Sequence, residues 1–88
     1  MPSLINRVAL VTGSTSGIGH GIAEHFAALG ARVLVHGLEI DAGERIAAGI
    51  RARGGDAAFA GGDVADEAVC RGLVRTAVDR FGGLDILV

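Results

Sequence analysis

Four apolar runs recur along the chain, and each is predicted to be a β-strand; the first two are typical of buried strands. The first and clearest is Val8-Ala9-Leu10-Val11, and the third has the weakest signal. Turn residues, mostly glycines, follow the first three runs, as expected at strand ends. The predicted strands cover residues 8–11, 32–35, 57–60 and 84–88.

Helical periodicity fills the segments between these runs. The first helix is predicted to follow the first strand from Ile18 onward, and Gly30 stands where a glycine commonly ends a helix. One face of this helix is continuously apolar, which indicates that it packs on a core. The residues predicted on that face are Ile18, Ile22, Ala23, Phe26 and Leu29.

The second and third helices are each predicted to begin at an aspartate. Asp41 is the expected N-cap of a helix that runs to about Arg53, where Gly54 and Gly55 break it. Asp66 is the expected N-cap of the third helix, which a glycine pair at 82–83 ends. The residues predicted to face the core are Ile46 and Ile50 in the second helix and Val69, Leu73, Val74, Ala77, Val78 and Phe81 in the third.

The elements therefore follow the order β-α-β-α-β-α-β. Strands that alternate with helices of about 10–15 residues predict right-handed crossovers and a parallel sheet. No internal repeat and no Pro-rich or Ser-rich linker interrupts this order, and 88 residues suffice for one small domain. The expected fold class is α/β, with a single domain over residues 1–88.

Composition excludes several classes of function. The formal net charge is −2 with no block of basic residues, and the three aromatic residues are all Phe, so neither a nucleic acid nor an anionic membrane is an expected partner. Cys70 is the single cysteine, which rules out a disulfide within the chain and favours the cytoplasm. We find no secretory signal pattern and no apolar run long enough to span a membrane.

A glycine-rich turn joins the first predicted strand to the first predicted helix. Gly13 permits a sharp turn, Gly17 leaves the backbone open to a pyrophosphate, and Gly19 lets the helix pack closely. The free N–H groups and the dipole at the start of that helix favour a phosphate group. A glycine triplet alone is weak evidence, but its position between a strand and a helix in a βαβ unit fits a dinucleotide site of the Rossmann type.

Three motifs in the same order resemble those of the short-chain dehydrogenase/reductase family. They are Val11-Thr12-Gly13-Ser14-Thr15-Ser16-Gly17-Ile18-Gly19, then Asp63-Val64 after the third strand, and Leu84-Asp85-Ile86-Leu87-Val88 on the fourth. The resemblance covers essentially the whole chain and implies the N-terminal portion of a Rossmann-type doubly wound sheet. The glycine turn, continued by Gly21-Ile22-Ala23, also resembles the 3-hydroxybutyrate dehydrogenase branch.

The resemblance implies a site for a nicotinamide dinucleotide. The backbone and hydroxyls of the turn would hold the adenosine ribose and the pyrophosphate, Asp63 would accept from the adenine amino group, and Val64 would pack on the ring. Thr12 would support the turn. The expected cofactor-binding residues are Gly13, Ser14, Thr15, Ser16, Gly17, Ile18, Gly19, Leu38, Asp63 and Val64.

Cofactor preference is expected to depend on the end of the second strand. An acidic residue there would bind the ribose 2′-OH of NAD, and an arginine would bind the 2′-phosphate of NADP. This chain has Gly37 and Leu38 at these positions, and Ser16 where many NADP users carry a basic residue. A 2′-phosphate would lack cationic partners, and Glu39 would repel it if it pointed inward, so NAD is expected rather than NADP.

The resemblance also implies that the family's catalytic Ser, Tyr and Lys lie beyond residue 88. The chain contains no Tyr and no Lys, because all eight of its basic residues are Arg. We therefore expect no catalytic residue and no dehydrogenase turnover from this chain alone. The whole enzyme would transfer hydride between the cofactor and a secondary alcohol or ketone, and would form homo-oligomers.

Two other functions remain open at this stage. The chain could be a non-catalytic truncated product or a binding module that associates with another chain. It could also be a flavodoxin-like or other mononucleotide-binding domain that shares only the topology. No metal site is expected, because His20, His25 and His36 lack cysteines or carboxylates at ligand spacing.

Structural roles are expected for the remaining polar residues. Cys70 is predicted to be an inert thiol and Asp85 to bond at a strand end. Arg51 and Arg53 are predicted to lie in solvent at the end of the second helix, where they complement its dipole.

Overall fold

The computed structural model describes residues 3–88, and it confirms the predicted order of elements. Four parallel strands form one sheet in the order β3-β2-β1-β4, and a helix connects each strand to the next along the chain. The elements are β1 (Val8–Val11), α1 (Gly17–Ala28), β2 (Arg32–Gly37), α2 (Ile40–Ala52), β3 (Asp56–Gly61), α3 (Glu67–Phe81) and β4 (Ile86–Leu87).

Successive residues of the central strands point to opposite faces of the sheet, and both faces are covered. One face carries Val11, Val33 and Val35 against α1 and α2, which contribute buried residues such as Ala23 and Ile50. The opposite face packs on α3 through another set of buried residues: Val8, Leu10, Leu34, Ala58, Leu73, Ala77 and Phe81. This division explains why the strands are continuously apolar rather than alternating.

Strand order determines where a ligand can bind. The chain moves outward from β1 through β2 to β3, and then returns to the other side of β1 at β4. The order therefore reverses beside β1. In open α/β sheets a crevice forms at the carboxyl ends of the strands at such a switch point, and ligands bind there.

The predicted core face of α1 is wrong at Ile18, which is 84% exposed. Ala23 is fully buried, and at about 100° per residue Ile18 lies about 140° around the helix from it. Gly19 instead faces inward in the first turn, so the glycine and not the isoleucine occupies the crowded position. Ile18 is left at the surface beside the glycine turn.

The predicted core face of α3 is too wide. Leu73, Ala77 and Phe81 are buried at intervals of four residues, but Val74 and Val78 are more than two-fifths exposed. A helix lying on a sheet buries one stripe, and these two valines lie about 100° away from it. They line a shallow surface depression together with Cys70.

The predicted N-cap is wrong for α2 and confirmed for α3. Glu39 is the N-cap residue of α2 and makes no side-chain cap bond, which places Asp41 inside the first turn. Asp66 caps α3, because its carboxylate accepts a hydrogen bond of 2.8 Å from the N–H of Ala68. Gly30 and Gly82 have φ of 98° and 89° just beyond α1 and α3, as glycines at helix ends commonly do.

This difference between the two aspartates predicts a difference in stability. Asp66→Ala should lower the free energy of unfolding by about 0.5–2 kcal/mol, because it removes a cap bond. The control Asp41→Ala should cost less than Asp66→Ala, because both variants remove a charge near a helix dipole and only Asp66→Ala also removes a cap bond. Urea unfolding followed by circular dichroism measures both values. Equal losses for the two variants would show that Asp66 does not cap α3.

Three strands differ in their bounds from the prediction, and β3 is longer by one residue at each end (Asp56–Gly61 instead of 57–60). β2 extends to Gly37, since its pairing with β3 continues through His36 and Gly37. β4 is limited to Ile86–Leu87, where the predicted strand covered residues 84–88. At its entrance Asp85 accepts from the N–H of Val8 at 2.9 Å, which confirms the predicted strand-end bond.

Candidate dinucleotide-binding site

The glycine turn leaves β1 with backbone angles that favour glycine. Gly13 has φ of 61° and Gly17 has φ of 59°, both in the left-handed region. At Gly19 the requirement is steric, because an added Cβ would lie far closer than 3.0 Å to the carbonyl oxygen of Gly13. Gly19 therefore permits close contact between α1 and the turn itself, whereas the prediction named only close packing of the helix.

The N-terminus of α1 is open to an anion. Ser16 is its N-cap residue, but the hydroxyl of Ser16 makes no cap bond, and the first turn contains no acidic residue. The N–H groups at the start of an α-helix have no acceptor within the helix. At Gly17 an added Cβ would meet nothing within 4 Å, so the space beside this backbone is free. This end of α1 therefore suits a phosphate group.

Ser14 lies beneath the turn rather than beside the cleft. Its side chain is fully buried; the hydroxyl donates to the carbonyl of Val11 at 2.7 Å and accepts from the N–H of His36 at 2.9 Å. The N–H of Ser14 donates to the carbonyl of His36 at 2.7 Å. The hydroxyl is thus occupied within the protein, and it fixes the turn to β2.

The imidazole of His36 connects two parts of the site. The side chain is only 3% exposed, and its Nδ1 accepts from the N–H of Gly13 at 3.0 Å. On the other side of the ring, Nε2 lies 2.6 Å from the carbonyl oxygen of Gly62 and donates to it. These two bonds require the neutral ring with its proton on Nε2. His36 is buried at the end of β2, and neither partner of its ring is a metal ligand.

A cleft of about 400 Å³ opens at the carboxyl ends of β1, β2 and β3. It brings together six of the ten predicted cofactor-binding residues, from three separate segments of the chain. Ser14 lies buried beneath the turn, and Gly17, Ile18 and Gly19 begin α1 next to Ser16. The lining residues are Thr12, Gly13, Thr15, Ser16, His36, Gly37, Leu38, Glu39, Gly62, Asp63 and Val64.

Asp63 and Val64 form the wall of the cleft that follows β3. One carboxylate oxygen of Asp63 accepts from the N–H of Ala65 at 2.9 Å, which forms a tight turn and leaves the side chain exposed. The carbonyl of Val64 accepts from the thiol of Cys70 at 3.0 Å. Cys70 is half-buried, and its thiol helps to hold this loop on α3.

Gly37 and Thr15 pack tightly against each other at the end of β2. A Cβ added to Gly37 would lie well within 3.0 Å of the Thr15 side chain. The next residue, Leu38, is 72% exposed, and Glu39 follows it along the same wall. The lining of the cleft includes two carboxylates, Glu39 and Asp63, and no arginine.

Several other polar residues have structural partners. The Thr12 hydroxyl donates to the carbonyl of Val88 at 2.8 Å, and His20 lies 3.3 Å from Glu24 on α1. Arg51 and Arg53 are exposed at the end of α2, as predicted; in addition, Arg51 donates to the carbonyl of Ala57 and Arg53 pairs with Glu24. Within residues 3–88 no three His, Cys, Asp or Glu side chains are grouped as metal ligands, and no helix there could span a membrane.

A four-stranded parallel sheet with helices on both faces and a glycine turn after the first strand defines a Rossmann-like α/β fold. The family model described as short chain dehydrogenase matches residues 7–88. The chain belongs to the short-chain dehydrogenase family, which implies a nicotinamide dinucleotide as cofactor. The predicted family and fold class are thereby confirmed.

Individual relatives agree with this assignment. The chain is 48% identical over 82 residues to "Granaticin polyketide synthase putative ketoacyl reductase 2" of Streptomyces violaceoruber, an alignment that covers 92% of this chain and 31% of the relative. A short chain dehydrogenase from Mycobacterium avium superimposes with a TM-score of 0.91 at 42% identity, covering 98% of this chain and 33% of that one. A hydroxysteroid dehydrogenase from Escherichia coli has a TM-score of 0.93 at 34% identity, with coverage of 97% and 36%.

The chain thus spans about a third of the length of these relatives. The resemblance to the 3-hydroxybutyrate dehydrogenase branch stays a prediction.

The place of His36 at the cleft does not follow from the sequence prediction. Its role in the structure is structural, since it is buried and bonded to backbone groups, but it also lines the cleft and contacts both the turn and the loop after β3. The available signal was its place in the chain: it directly precedes Gly37 at the carboxyl end of a strand next to the switch point.

Proposed function

We propose that this chain binds NAD in the cleft and is the nucleotide-binding portion of an NAD-dependent oxidoreductase. The whole enzyme would transfer hydride between NAD and a secondary alcohol or ketone. The observation that carries the proposal is the pairing of an uncapped helix N-terminus at Ser16 with the exposed carboxylate of Asp63, both at one cleft.

The pyrophosphate would lie at the start of α1. The N–H groups of Gly17, Ile18 and Gly19 are the first of the helix and lack acceptors within it, so they would donate to phosphate oxygens. No carboxylate lies in this turn to repel the anion. Ser14 would act from below by fixing the turn, and Ser16 is exposed and free to donate its hydroxyl.

The adenine ring would lie between Leu38 and Val64. Both side chains are large, apolar and exposed on the cleft, which suits a flat heterocycle. One oxygen of Asp63 is occupied by Ala65, and the other would accept from the adenine amino group. In this arrangement the carboxylate is held in position before the nucleotide arrives.

The adenosine ribose would lie beside Thr15 at the end of β2. Glu39 lines this part of the cleft, and a 2′-phosphate there would be repelled without a compensating arginine in the lining. This charge distribution favours NAD over NADP. An acidic residue at position 37 would collide with Thr15, which accounts for glycine at that position.

When bound, the nicotinamide ring supplies the hydride chemistry, and this chain would contribute binding only. A chain without Tyr or Lys cannot supply the Tyr and Lys that the family resemblance implies. We propose no catalytic residue and no metal within it. We also propose that the protein is cytoplasmic, which rests on its single cysteine. We propose that the whole enzyme forms homo-oligomers, which rests on the family resemblance alone.

Asp63→Asn tests the adenine site. The asparagine oxygen can still accept from the N–H of Ala65, so the loop should persist, but its NH2 group cannot accept from the adenine amino group. We expect NAD binding, measured by isothermal titration calorimetry, to weaken about tenfold. The control Asp79→Asn neutralises an exposed carboxylate on α3 and should bind NAD as the unaltered protein does. Equal affinity of the two variants would contradict the proposed adenine site.

A further inference from the structure

We infer that His36 is a positioning residue for the adenosine half of the dinucleotide, acting as the neutral imidazole that carries its proton on Nε2. This inference rests on the proposed NAD site. The ring joins the two walls between which the nucleotide would lie, the glycine turn on one side and the loop before Asp63 on the other.

The two walls are otherwise far apart in sequence. Gly13 lies 23 residues before His36, and Gly62 lies 26 residues after it. Gly62 has φ of 120° and immediately precedes Asp63. By accepting from one backbone group and donating to the other, a single rigid ring sets the separation of the turn from the Asp63 carboxylate.

His36 also limits which backbone N–H groups of the turn remain free to bind a phosphate. The N–H of Gly13 is occupied by Nδ1, and the N–H of Ser14 is occupied by the carbonyl of His36. The pyrophosphate is thereby directed to the N–H groups of Gly17, Ile18 and Gly19. His36 thus shapes both ends of the adenosine diphosphate site without needing to contact the ligand.

The neutral Nε2–H form is the only state of the ring that satisfies both bonds. A ring with its proton on Nδ1 would present a donor to the Gly13 N–H, and a doubly protonated ring would do the same. Two donors facing each other at 3.0 Å would separate the turn from β2. The inference therefore fixes the tautomer as well as the position.

Three substitutions at position 36 separate the two bonds. In asparagine the amide oxygen can occupy the place of Nδ1, and in glutamine the amide nitrogen can occupy the place of Nε2. His36→Asn can keep the Gly13 bond and loses the Gly62 bond, whereas His36→Gln does the reverse. His36→Leu loses both, and the control His25→Leu alters an exposed histidine on α1.

The experiment combines NAD titration with NMR of 15N-labelled protein. We expect His36→Leu to bind NAD more than tenfold more weakly, the Asn and Gln variants to show smaller losses, and His25→Leu to be unchanged. The imidazole spectrum of the unaltered protein should show a protonated Nε2 and an unprotonated Nδ1. The Gly13 amide signal should shift in His36→Gln and stay near its place in His36→Asn.

A protonated Nδ1 at neutral pH would overturn the inference, as would a folded Asn or Gln variant that binds NAD as tightly as the unaltered protein. If His36→Leu does not fold, NAD binding by His36→Asn and His36→Gln and the tautomer of the unaltered protein still test the inference. If the unaltered protein does not bind NAD, the proposed function fails instead, and the tautomer and the Gly13 signal still report whether His36 joins the two walls.

Discussion

Gly19→Ala is expected to weaken NAD binding by more than tenfold and to lower the free energy of unfolding by about 1–3 kcal/mol. The added methyl group would collide with the backbone carbonyl of Gly13, which cannot rotate away as a flexible side chain could. Either α1 or the turn must move. Each movement displaces the N–H groups that would hold the pyrophosphate.

Gly21→Ala provides a matched control two residues further along α1. An added Cβ there meets nothing within 4 Å, and alanine is the better helix former, so stability should rise by about 0.5–1 kcal/mol with NAD binding unchanged. The two variants thus carry the same substitution in the same helix, but Gly19→Ala should lower the free energy of unfolding and Gly21→Ala should raise it. Thermal unfolding and calorimetric titration of both measure the effects. A Gly19→Ala protein as stable as Gly21→Ala would refute the close contact at the turn.

Leu38→Arg is expected to raise the affinity for NADP about tenfold and to reverse the preference for NAD. The guanidinium would stand at the end of β2, where the proposal places the ribose, and would pair with a 2′-phosphate. Leu38 is largely exposed, so the substitution removes little from the core. Adding Glu39→Gln should increase the gain, because it removes the carboxylate that would repel the phosphate.

Leu38→Ala separates the added charge from the lost apolar contact. It should weaken NAD and NADP alike, without a change in preference. Titrating each variant with NAD and with NADP measures the ratio of the two affinities directly. If Leu38→Arg and Leu38→Ala show the same ratio, the ribose does not lie at the end of β2, and an unaltered protein that prefers NADP would contradict the proposed cofactor.

The parts of the fold that the sequence predicts are those determined by local pattern. Continuous apolar runs such as residues 8–11 locate the strands, and the glycine turn locates the start of the first helix. Asp63 is singled out by the resemblance to the family, and its place directly after β3 puts it at the carboxyl edge of the sheet, where the cleft lies. The strands and the helix start therefore follow from neighbours in sequence, whereas Asp63 follows from the resemblance.

The errors arise where packing selects among similar local signals. Ile18 lies four residues before Ile22, as a core residue would, but it lies about 140° around the helix from the buried Ala23, and Gly19 faces inward instead. Asp41 is the better N-cap residue by type, but α2 begins at Ile40, directly after Glu39, so the aspartate lies within the first turn. In both cases the local signal alone selects the wrong residue.

His36 shows how far the candidate site can be predicted from the sequence. Its side chain bonds to backbone groups 23 residues before it and 26 residues after it. Both partners are backbone groups, the N–H of Gly13 and the carbonyl of Gly62. Almost every residue carries such groups, so the residue types at these positions do not reveal the bonds. Only the three-dimensional arrangement shows that the two groups face one ring.

The central claim is that one cleft, formed by the glycine turn and the loop after β3 that carries Asp63, holds the dinucleotide. Titrating the 15N-labelled protein with NAD and following each backbone amide by NMR tests it most directly. The account predicts saturable shifts at Ser16, Gly17, Ile18 and Gly19 together with Leu38, Asp63 and Val64, and unchanged signals on the exposed side of α3. Shifts confined to another surface, or no saturable shift with either NAD or NADP, would contradict it.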